Sequence, residues 1–242
     1  MQFVKKRNRG SLLVKGFVAG LRHLALIAVF LIVPAGLLPN GTWLWERGLQ
    51  FLALYGVFME VSIIILFFIA PANLEGRLKS PFNKKQSKQD RKATLLVLFT
   101  IALWFVFIPI DVFALKLFQQ PPFVLSILGL VIFLLGYSIV AVTTYQNPFA
   151  ITYVEDQTKQ GQYLVDTGVY RIVRHPMYMG FIIFFAGIAL WLGSFAALFA
   201  VPLIALSMIP RITEEEKTLT GALNGYKHYK KKVKYRIIPF VW

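Results

Sequence analysis

Long apolar blocks are the feature that most constrains how this chain can fold. A helix needs about 20 apolar residues to cross the hydrocarbon core of a bilayer. Four blocks have that length, at residues 17–38, 48–70, 93–115 and 123–145. Only 15% of the residues are charged, against about 25% in soluble domains. The sequence therefore predicts an all-α, polytopic transmembrane protein with four spans in an N-terminal region, residues 1–145.

A fifth apolar block, residues 177–209, is too long for one span. Its 33 residues would form a helix of about 50 Å. Leu192-Gly193-Ser194 interrupts the block and is typical of a turn. We expect a helical hairpin that enters and leaves the membrane on the same side. Two polar segments, residues 146–176 and 210–242, flank the hairpin, so it should bring them together in a C-terminal region, residues 146–242.

The positions of the basic residues predict the orientation. They are concentrated before the first block and between the second and third, which the positive-inside rule assigns to the cytoplasm. The chain ends are then both cytoplasmic, and the net charge of +15 reflects contact with anionic lipid headgroups rather than nucleic acid. The basic residues in these two connections are Lys5, Lys6, Arg7, Arg9, Lys15, Arg77, Lys79, Lys84, Lys85, Lys88, Arg91 and Lys92.

The densest group of chemically active residues runs from Asp166 to Gly180 and contains Arg174-His175-Pro176. Proline suits the first turn of a helix, where its missing N–H would have no partner anyway. Arg174 and His175 then precede a helix N-terminus, whose free N–H groups favour an anion. The segment predicts a pocket for a small anionic group at the membrane surface.

A second group, Arg211-Ile-Thr-Glu-Glu-Glu216, follows the hairpin. On a helix, Arg211 and Glu215 share one face because they are four residues apart. Carboxylates beside a membrane are costly unless they face water or a cation, so Glu215 or Glu216 could hold a cationic ligand group. Glu60 and Asp111 lie inside apolar blocks, and we expect each to face protein and to pair with another polar side chain.

These segments resemble the isoprenylcysteine carboxyl methyltransferase and phospholipid methyltransferase group of membrane enzymes. The resemblance covers residues 147–242 and is strongest where Arg-His-Pro-x-Tyr-x-Gly is followed by Glu-Glu after a hairpin. The matching segments are Asn147-Pro-Phe, Gly161-Gln, Asp166-Thr-Gly-Val-Tyr, Arg174-His-Pro-Met-Tyr-Met-Gly180, Glu215-Glu216 with Leu219, Gly225-Tyr226 with Tyr229, and Tyr235-Arg-Ile-Ile-Pro-Phe-Val-Trp242.

The resemblance implies a cytoplasmic pocket for S-adenosylmethionine and a lipid-like or small amphipathic substrate. Arg211 matches an arginine that the family uses near the substrate. By match to the family's motifs, the cofactor-binding residues are Gln162, Tyr163, Leu164, Val165, Tyr170, His175, Pro176, Met177, Tyr178 and Glu215.

The chemistry of the side chains fits this expectation. The amino-acid end of the cofactor is a zwitterion, for which His175 with the helix start and Glu215 are complementary. Arg174 or Arg211 could position an acceptor carboxylate, and Glu216 could take the proton of an acceptor amine. Methyl transfer from a sulfonium needs an aligned nucleophile in a water-poor site and no metal. With no cysteine and three histidines, we expect no metal site.

Two other functions remain open from the sequence. Membrane sterol reductases, which bind NADPH, share much of the Arg-His-Pro-x-Tyr-x-Gly pattern, although the Glu-Glu pair argues against them. A non-catalytic small transporter is the second alternative. Against it, the ionisable residues cluster outside the apolar blocks rather than along a path through the midplane.

Overall fold

The computed structural model describes residues 9–82 and 86–242, with the side chain of Arg9 excluded. Within these ranges the chain forms α-helices joined by turns and short 3₁₀ and π segments, without any β-strand, so the predicted all-α class is confirmed. The helices are α1 (Arg9–Leu37), α2 (Glu46–Ile69), α3 (Pro71–Arg77), α4 (Lys88–Ile110), α5 (Phe123–Gln146), α6 (Pro176–Leu192), α7 (Phe195–Ala222) and α8 (Tyr226–Lys232).

Five helical stretches in the described residues are long and apolar enough to cross a membrane: Gly10–Leu37, Glu46–Ile69, Lys88–Leu115, Phe123–Gln146 and Phe195–Ala222. The first four contain most of the four predicted spans, and the protein is an integral membrane protein. Which side each end faces stays a prediction. Part of its basis, Lys5, Lys6, Arg7, Lys84 and Lys85, lies outside the described residues.

Helices α6 and α7 form the predicted hairpin. Gly193 ends α6 with a φ of +89°, a backbone conformation that glycine adopts without strain. Ser194 then caps α7, because its hydroxyl accepts a hydrogen bond from the Ala197 N–H at 2.9 Å. The turn at residues 192–194 is therefore confirmed.

The predicted end of the hairpin at residue 209 is wrong, because α7 continues through Pro202 and Pro210 to Ala222. A proline inside a helix costs about 3 kcal/mol, but the apolar face of α7 continues beyond it, and Ile212 is fully buried. Packing therefore outweighs the lost hydrogen bond. As a result, the segment from Arg211 to Glu216 is a direct extension of the last membrane helix.

Helices α5 and α6 pack backbone against backbone through glycines spaced seven residues apart on each helix. A Cβ atom on Gly129 would lie 2.8 Å from the backbone nitrogen of Trp191 and 2.9 Å from the carbonyl of Gly187. Small residues are a common means of close helix association in membranes. Gly136 and Gly180 make the same kind of contact near the other end, which fixes the start of α6 against the end of α5.

The two acidic residues predicted to face protein differ in their surroundings. Asp111 is buried and accepts hydrogen bonds from the Ser194 hydroxyl at 2.6 Å and the Leu117 N–H at 3.1 Å, so its predicted partner is confirmed. Glu60 packs so closely on α1 that a Cβ on Gly20 would lie 2.5 Å from its Oε1. Its two oxygens are buried without a hydrogen-bond partner among the described residues, so the predicted polar partner of Glu60 is wrong.

Candidate active site

A cavity lies at the end of the helical bundle where α5 ends and α6 begins. It holds about 530 Å³ of open space, including a part open to solvent. All ten residues predicted to bind the cofactor line it. The complete lining consists of Asn147, Ala150, Gln162, Tyr163, Leu164, Val165, Tyr170, Arg174, His175, Pro176, Met177, Tyr178, Glu215, Leu219, Leu223, Tyr226 and Tyr229.

The guanidinium group of Arg174 is held inside the protein. Its Nε donates to Glu216 Oε1 at 2.7 Å, and its Nη1 donates to the carbonyls of Val233 and Lys234, each at 2.7 Å. Arg174 is only 8% exposed. These bonds tie the C-terminal segment to the start of α6, and they engage the Nε and Nη1 of the guanidinium within the chain.

Glu216 is the counter-ion of a basic cluster. Its side chain is 3% exposed, and its Oε1 also lies 3.2 Å from His175 Nε2. Its Oε2 lies 3.2 Å from Arg236 Nε and 3.5 Å from Lys230 Nζ. Glu216 is not one of the described residues that line the cavity. The geometry therefore supports a structural ion pair, and the catalytic roles of Arg174 and Glu216 stay predictions.

Glu215, the preceding residue, points to the cavity instead. Its side chain is 32% exposed, and its Oε2 accepts a hydrogen bond from the Tyr178 hydroxyl at 3.1 Å. His175 Nδ1 lies 3.9 Å from the same oxygen. Successive residues of an α-helix point about 100° apart, so one acid of the pair faces the cavity while the other is buried.

Two tyrosines build one wall of the cavity through hydrogen bonds to each other and to Asn147. The Asn147 amide donates to the Tyr170 hydroxyl at 2.9 Å, and the Tyr229 hydroxyl donates to the Tyr170 carbonyl at 2.8 Å. Burial raises the pKa of both phenols, so they are neutral at physiological pH. Sequence reasoning assigned no role to Asn147, and the structure shows that its amide holds the Tyr170 hydroxyl.

Tyr226 differs from these two tyrosines. It is 3% exposed and lines the cavity, yet its hydroxyl is buried with no hydrogen-bond partner in the described part of the chain. Burial, together with the nearby charges of Glu216 and Glu215, raises its pKa. Tyr226 therefore presents an unpaired O–H donor. The signal for Tyr226 in the sequence was its position in the matching segment Gly225-Tyr226, and that match implied no particular role for the side chain.

A second cavity of about 430 Å³ adjoins the first and shares Met177, Tyr178 and Glu215 with it. Arg211 lies in its wall. The Arg211 Nε donates to the Tyr178 hydroxyl at 3.0 Å and its Nη2 to the Thr152 carbonyl at 2.9 Å. The shared residues separate two spaces that meet around Glu215.

The start of α4 supports Arg211, which sequence reasoning missed. Thr94 accepts a hydrogen bond from Arg211 Nη1, and Asp90 Oδ1 lies 3.6 Å from the same nitrogen. Asp90 is almost fully buried, and its Oδ2 accepts from the Val154 N–H at 3.0 Å. The sequence feature that could have pointed to Asp90 is that it is the single acidic residue in the basic stretch from Lys88 to Lys92.

In the described ranges, no group of three or more histidine, aspartate or glutamate side chains is arranged to hold a metal ion. The side chains that line the two cavities offer hydroxyl, carboxylate, guanidinium, imidazole, amide and apolar groups.

Comparison with known proteins gives three matches. Residues 124–225 match the family model described as Phospholipid methyltransferase. The Protein-S-isoprenylcysteine O-methyltransferase of Schizosaccharomyces pombe is 35% identical over 82 residues, which are 33% of this chain and 35% of that protein. The match thus spans about a third of the length of this relative.

A solved structure, that of the eukaryotic intramembrane Ras methyltransferase (isoprenylcysteine carboxyl methyltransferase), aligns over 96% of this chain and 98% of its own. It is 20% identical to this chain, with a TM-score of 0.48. The family match includes α5 to α7, the helices that carry the glycine contacts and both cavity-lining motifs. The resemblance to the isoprenylcysteine carboxyl and phospholipid methyltransferases is therefore confirmed, and residues 124–225 are the part of this chain that matches the phospholipid methyltransferase family model.

Proposed function

We propose that this protein transfers a methyl group from S-adenosylmethionine to a lipid-like acceptor that carries a carboxylate or an amine. The observation that carries the proposal is a single cavity lined by the His175-Pro176 corner and by Glu215. These residues are 40 positions apart in sequence, and the hairpin brings them within 3.9 Å of each other. The match to a methyltransferase family supports the same reaction.

The lining of the first cavity fits S-adenosylmethionine. Glu215 is a partly exposed carboxylate suited to the ammonium group, and Tyr226 offers a buried hydroxyl without a partner among the described residues. Leu164, Leu219 and Leu223 form apolar walls suited to an adenosine. When bound, the cofactor supplies an electrophilic methyl group on a sulfonium.

The second cavity is the proposed acceptor site, because it meets the first at Met177, Tyr178 and Glu215. Arg211 is suited to an acceptor carboxylate, whereas Glu155 and Glu215 in the same lining are suited to an amine. Residues of this cavity would hold the acceptor oxygen or nitrogen beside the methyl group that the cofactor supplies, as methyl transfer requires. A new O–C or N–C bond forms as the S–C bond breaks, and an ammonium acceptor must also lose a proton.

We place this end of the bundle, with both chain ends, on the cytoplasmic side. The basic connection between α2 and α4 contacts the cavity segment, since the Thr152 hydroxyl donates to the Lys79 carbonyl at 3.0 Å. Described basic residues of that connection therefore lie at the cavity end, as the positive-inside rule requires of a cytoplasmic face.

Ligand titration of the purified protein in detergent tests the cofactor. We expect S-adenosylmethionine to bind and NADPH not to bind. Glu215→Gln should weaken S-adenosylmethionine binding about tenfold, because it removes a charged hydrogen bond to the ammonium. Glu214→Gln is the matched control, since Glu214 lines neither of the two described cavities. Binding of NADPH without S-adenosylmethionine would overturn the proposal in favour of a reductase.

A second experiment identifies the class of acceptor. The protein would be incubated with a total lipid extract and S-adenosylmethionine carrying a labelled methyl group. A methyl ester releases labelled methanol in alkali, whereas an N-methyl group is stable to it. Mass analysis of the labelled lipid then gives the acceptor, and no transfer to any lipid would contradict the proposed lipid-like substrate.

A further inference from the structure

We infer that the Tyr226 hydroxyl donates a hydrogen bond to the carboxylate of the cofactor's amino-acid end. This inference rests on the proposed function and assigns a cofactor-positioning residue within the same site. It starts from the unpaired hydroxyl of Tyr226, which is buried in the cavity lining. Buried polar groups are normally hydrogen-bonded, so a ligand that supplies the missing partner explains this hydroxyl.

The partner must be an acceptor, because Tyr226 is a protonated phenol. Its pKa is raised by burial and by the charges of Glu216 and Glu215. Tyr226 and Glu215, the carboxylate suited to the cofactor's ammonium, line the same cavity. In an amino acid, the ammonium and the carboxylate are attached to the same carbon atom. A ligand held by Glu215 therefore brings its carboxylate close to Tyr226.

Several other donors at this end of the cavity are engaged within the chain. The Arg174 guanidinium donates to Glu216 and to two backbone carbonyls through its Nε and Nη1, and His175 Nε2 lies 3.2 Å from Glu216. The N–H groups of Tyr178 and Met179, in the first turn of α6, donate to the His175 carbonyl at 3.1 and 3.3 Å. Among the described residues, the Tyr226 hydroxyl is the one buried side-chain donor without a partner, so it is the donor that gains most from a bound carboxylate.

The chain offers a matched control in Tyr229. The two rings lie on the same helix with centroids 5.7 Å apart, and both line the cavity. The Tyr229 hydroxyl, however, already donates to the Tyr170 carbonyl at 2.8 Å. Replacing each tyrosine by phenylalanine removes an unused hydroxyl in one case and an existing hydrogen bond in the other.

The test uses two ligands that differ only at the amino-acid end. S-adenosylhomocysteine carries this end, whereas 5′-methylthioadenosine has the same nucleoside and thioether without it. We expect Tyr226→Phe to weaken S-adenosylhomocysteine binding about tenfold, as for a hydrogen bond to a charged group. Binding of 5′-methylthioadenosine should stay unchanged. The melting temperature of the ligand-free protein should not fall, because the variant loses a buried hydroxyl that has no partner among the described residues. Tyr229→Phe should lower that melting temperature.

Several results would overturn the inference. Equal weakening of both ligands by Tyr226→Phe would place the hydroxyl against the nucleoside, and unchanged binding of both would remove its role. A melting temperature of ligand-free Tyr226→Phe as low as that of Tyr229→Phe would show that the hydroxyl has a partner inside the protein. If the wild-type protein binds neither S-adenosylmethionine nor S-adenosylhomocysteine, the proposed function itself fails.

Discussion

The two ends of the α6–α7 hairpin use their polar residues in opposite ways. At the turn, the carboxylate of Asp111 accepts hydrogen bonds from Ser194 and from the Leu117 N–H, and the Ser194 hydroxyl also caps α7. At the cavity, Glu215 is partly exposed and the Tyr226 hydroxyl is unpaired within the described residues. The same pair of helices therefore has one polar end that is internally satisfied and one that is not.

This difference separates stability from function. A buried polar group that lacks a partner costs about 1–3 kcal/mol, so a fold gains nothing from the unpaired hydroxyl of Tyr226. The polar residues at the turn need no explanation beyond the stability that their hydrogen bonds give to the connection between α6 and α7. At the cavity end, the proposed ligand would complete the hydrogen bond of Tyr226, and the Arg174–Glu216 pair holds the C-terminal segment against the start of α6.

The largest expected effect is on the buried ion pair behind the cavity. Arg174→Met leaves the Glu216 carboxylate without its shortest ion pair, and breaking a buried pair typically costs about 3–5 kcal/mol. We expect a corresponding loss in the free energy of unfolding, measured by denaturant titration in detergent. A variant with wild-type stability but without methyl transfer would instead support the catalytic role predicted from the sequence.

The next effect concerns the turn. Asp111→Ala removes the partner of the Ser194 hydroxyl and of the Leu117 N–H, so we expect it to lower the free energy of unfolding by about 2 kcal/mol. Binding of S-adenosylhomocysteine to the folded variant should stay within about twofold of wild type. Asp111→Asn, which keeps one oxygen acceptor, is the control and should lose less. If Asp111→Ala instead bound ligand much more weakly while keeping wild-type stability, the turn would serve binding, and the contrast with the cavity end would be lost.

At the cavity, Glu215→Gln should show the reverse pattern. The side chain is partly exposed and makes one hydrogen bond, with Tyr178, so the change in unfolding free energy should stay within about 0.5 kcal/mol. The same variant should lose about tenfold in S-adenosylmethionine affinity. Thermal melts with and without ligand measure both quantities. Strong destabilisation of the ligand-free variant would assign Glu215 to the structure.

The smallest effect is expected for Lys230, the outermost basic group near Glu216. Its side chain is 34% exposed and its Nζ lies 3.5 Å from Glu216 Oε2. Exposed ion pairs contribute about 0–1 kcal/mol and are weakened by salt. Lys230→Ala should therefore change the unfolding free energy by less than about 1 kcal/mol, with the difference disappearing at high salt. A loss as large as that of Arg174→Met would show that the whole cluster acts as one unit.

The sequence by itself determined the all-α class, the position of the hairpin turn and the residues that line the cavity. These features depend on local patterns: the length of apolar blocks, the left-handed backbone at Gly193, and motif residues close together in the chain. Because α6 and α7 form a hairpin, the segment before α6 and the end of α7 lie close together in space. For this reason the motif beginning at Asp166 and the one ending at Glu216 line one space.

Tertiary structure alone decided what each of these side chains does. Glu215 and Glu216 are adjacent and chemically equivalent, and only the rotation of α7 against α6 and the C-terminal segment buries one and exposes the other. In the same way, the partners of Arg174 lie 42 to 60 residues away, and the continuation of α7 past Pro210 depends on buried contacts such as those of Ile212. Such contacts join residues distant in sequence, so their energies are set by packing, which local patterns do not contain.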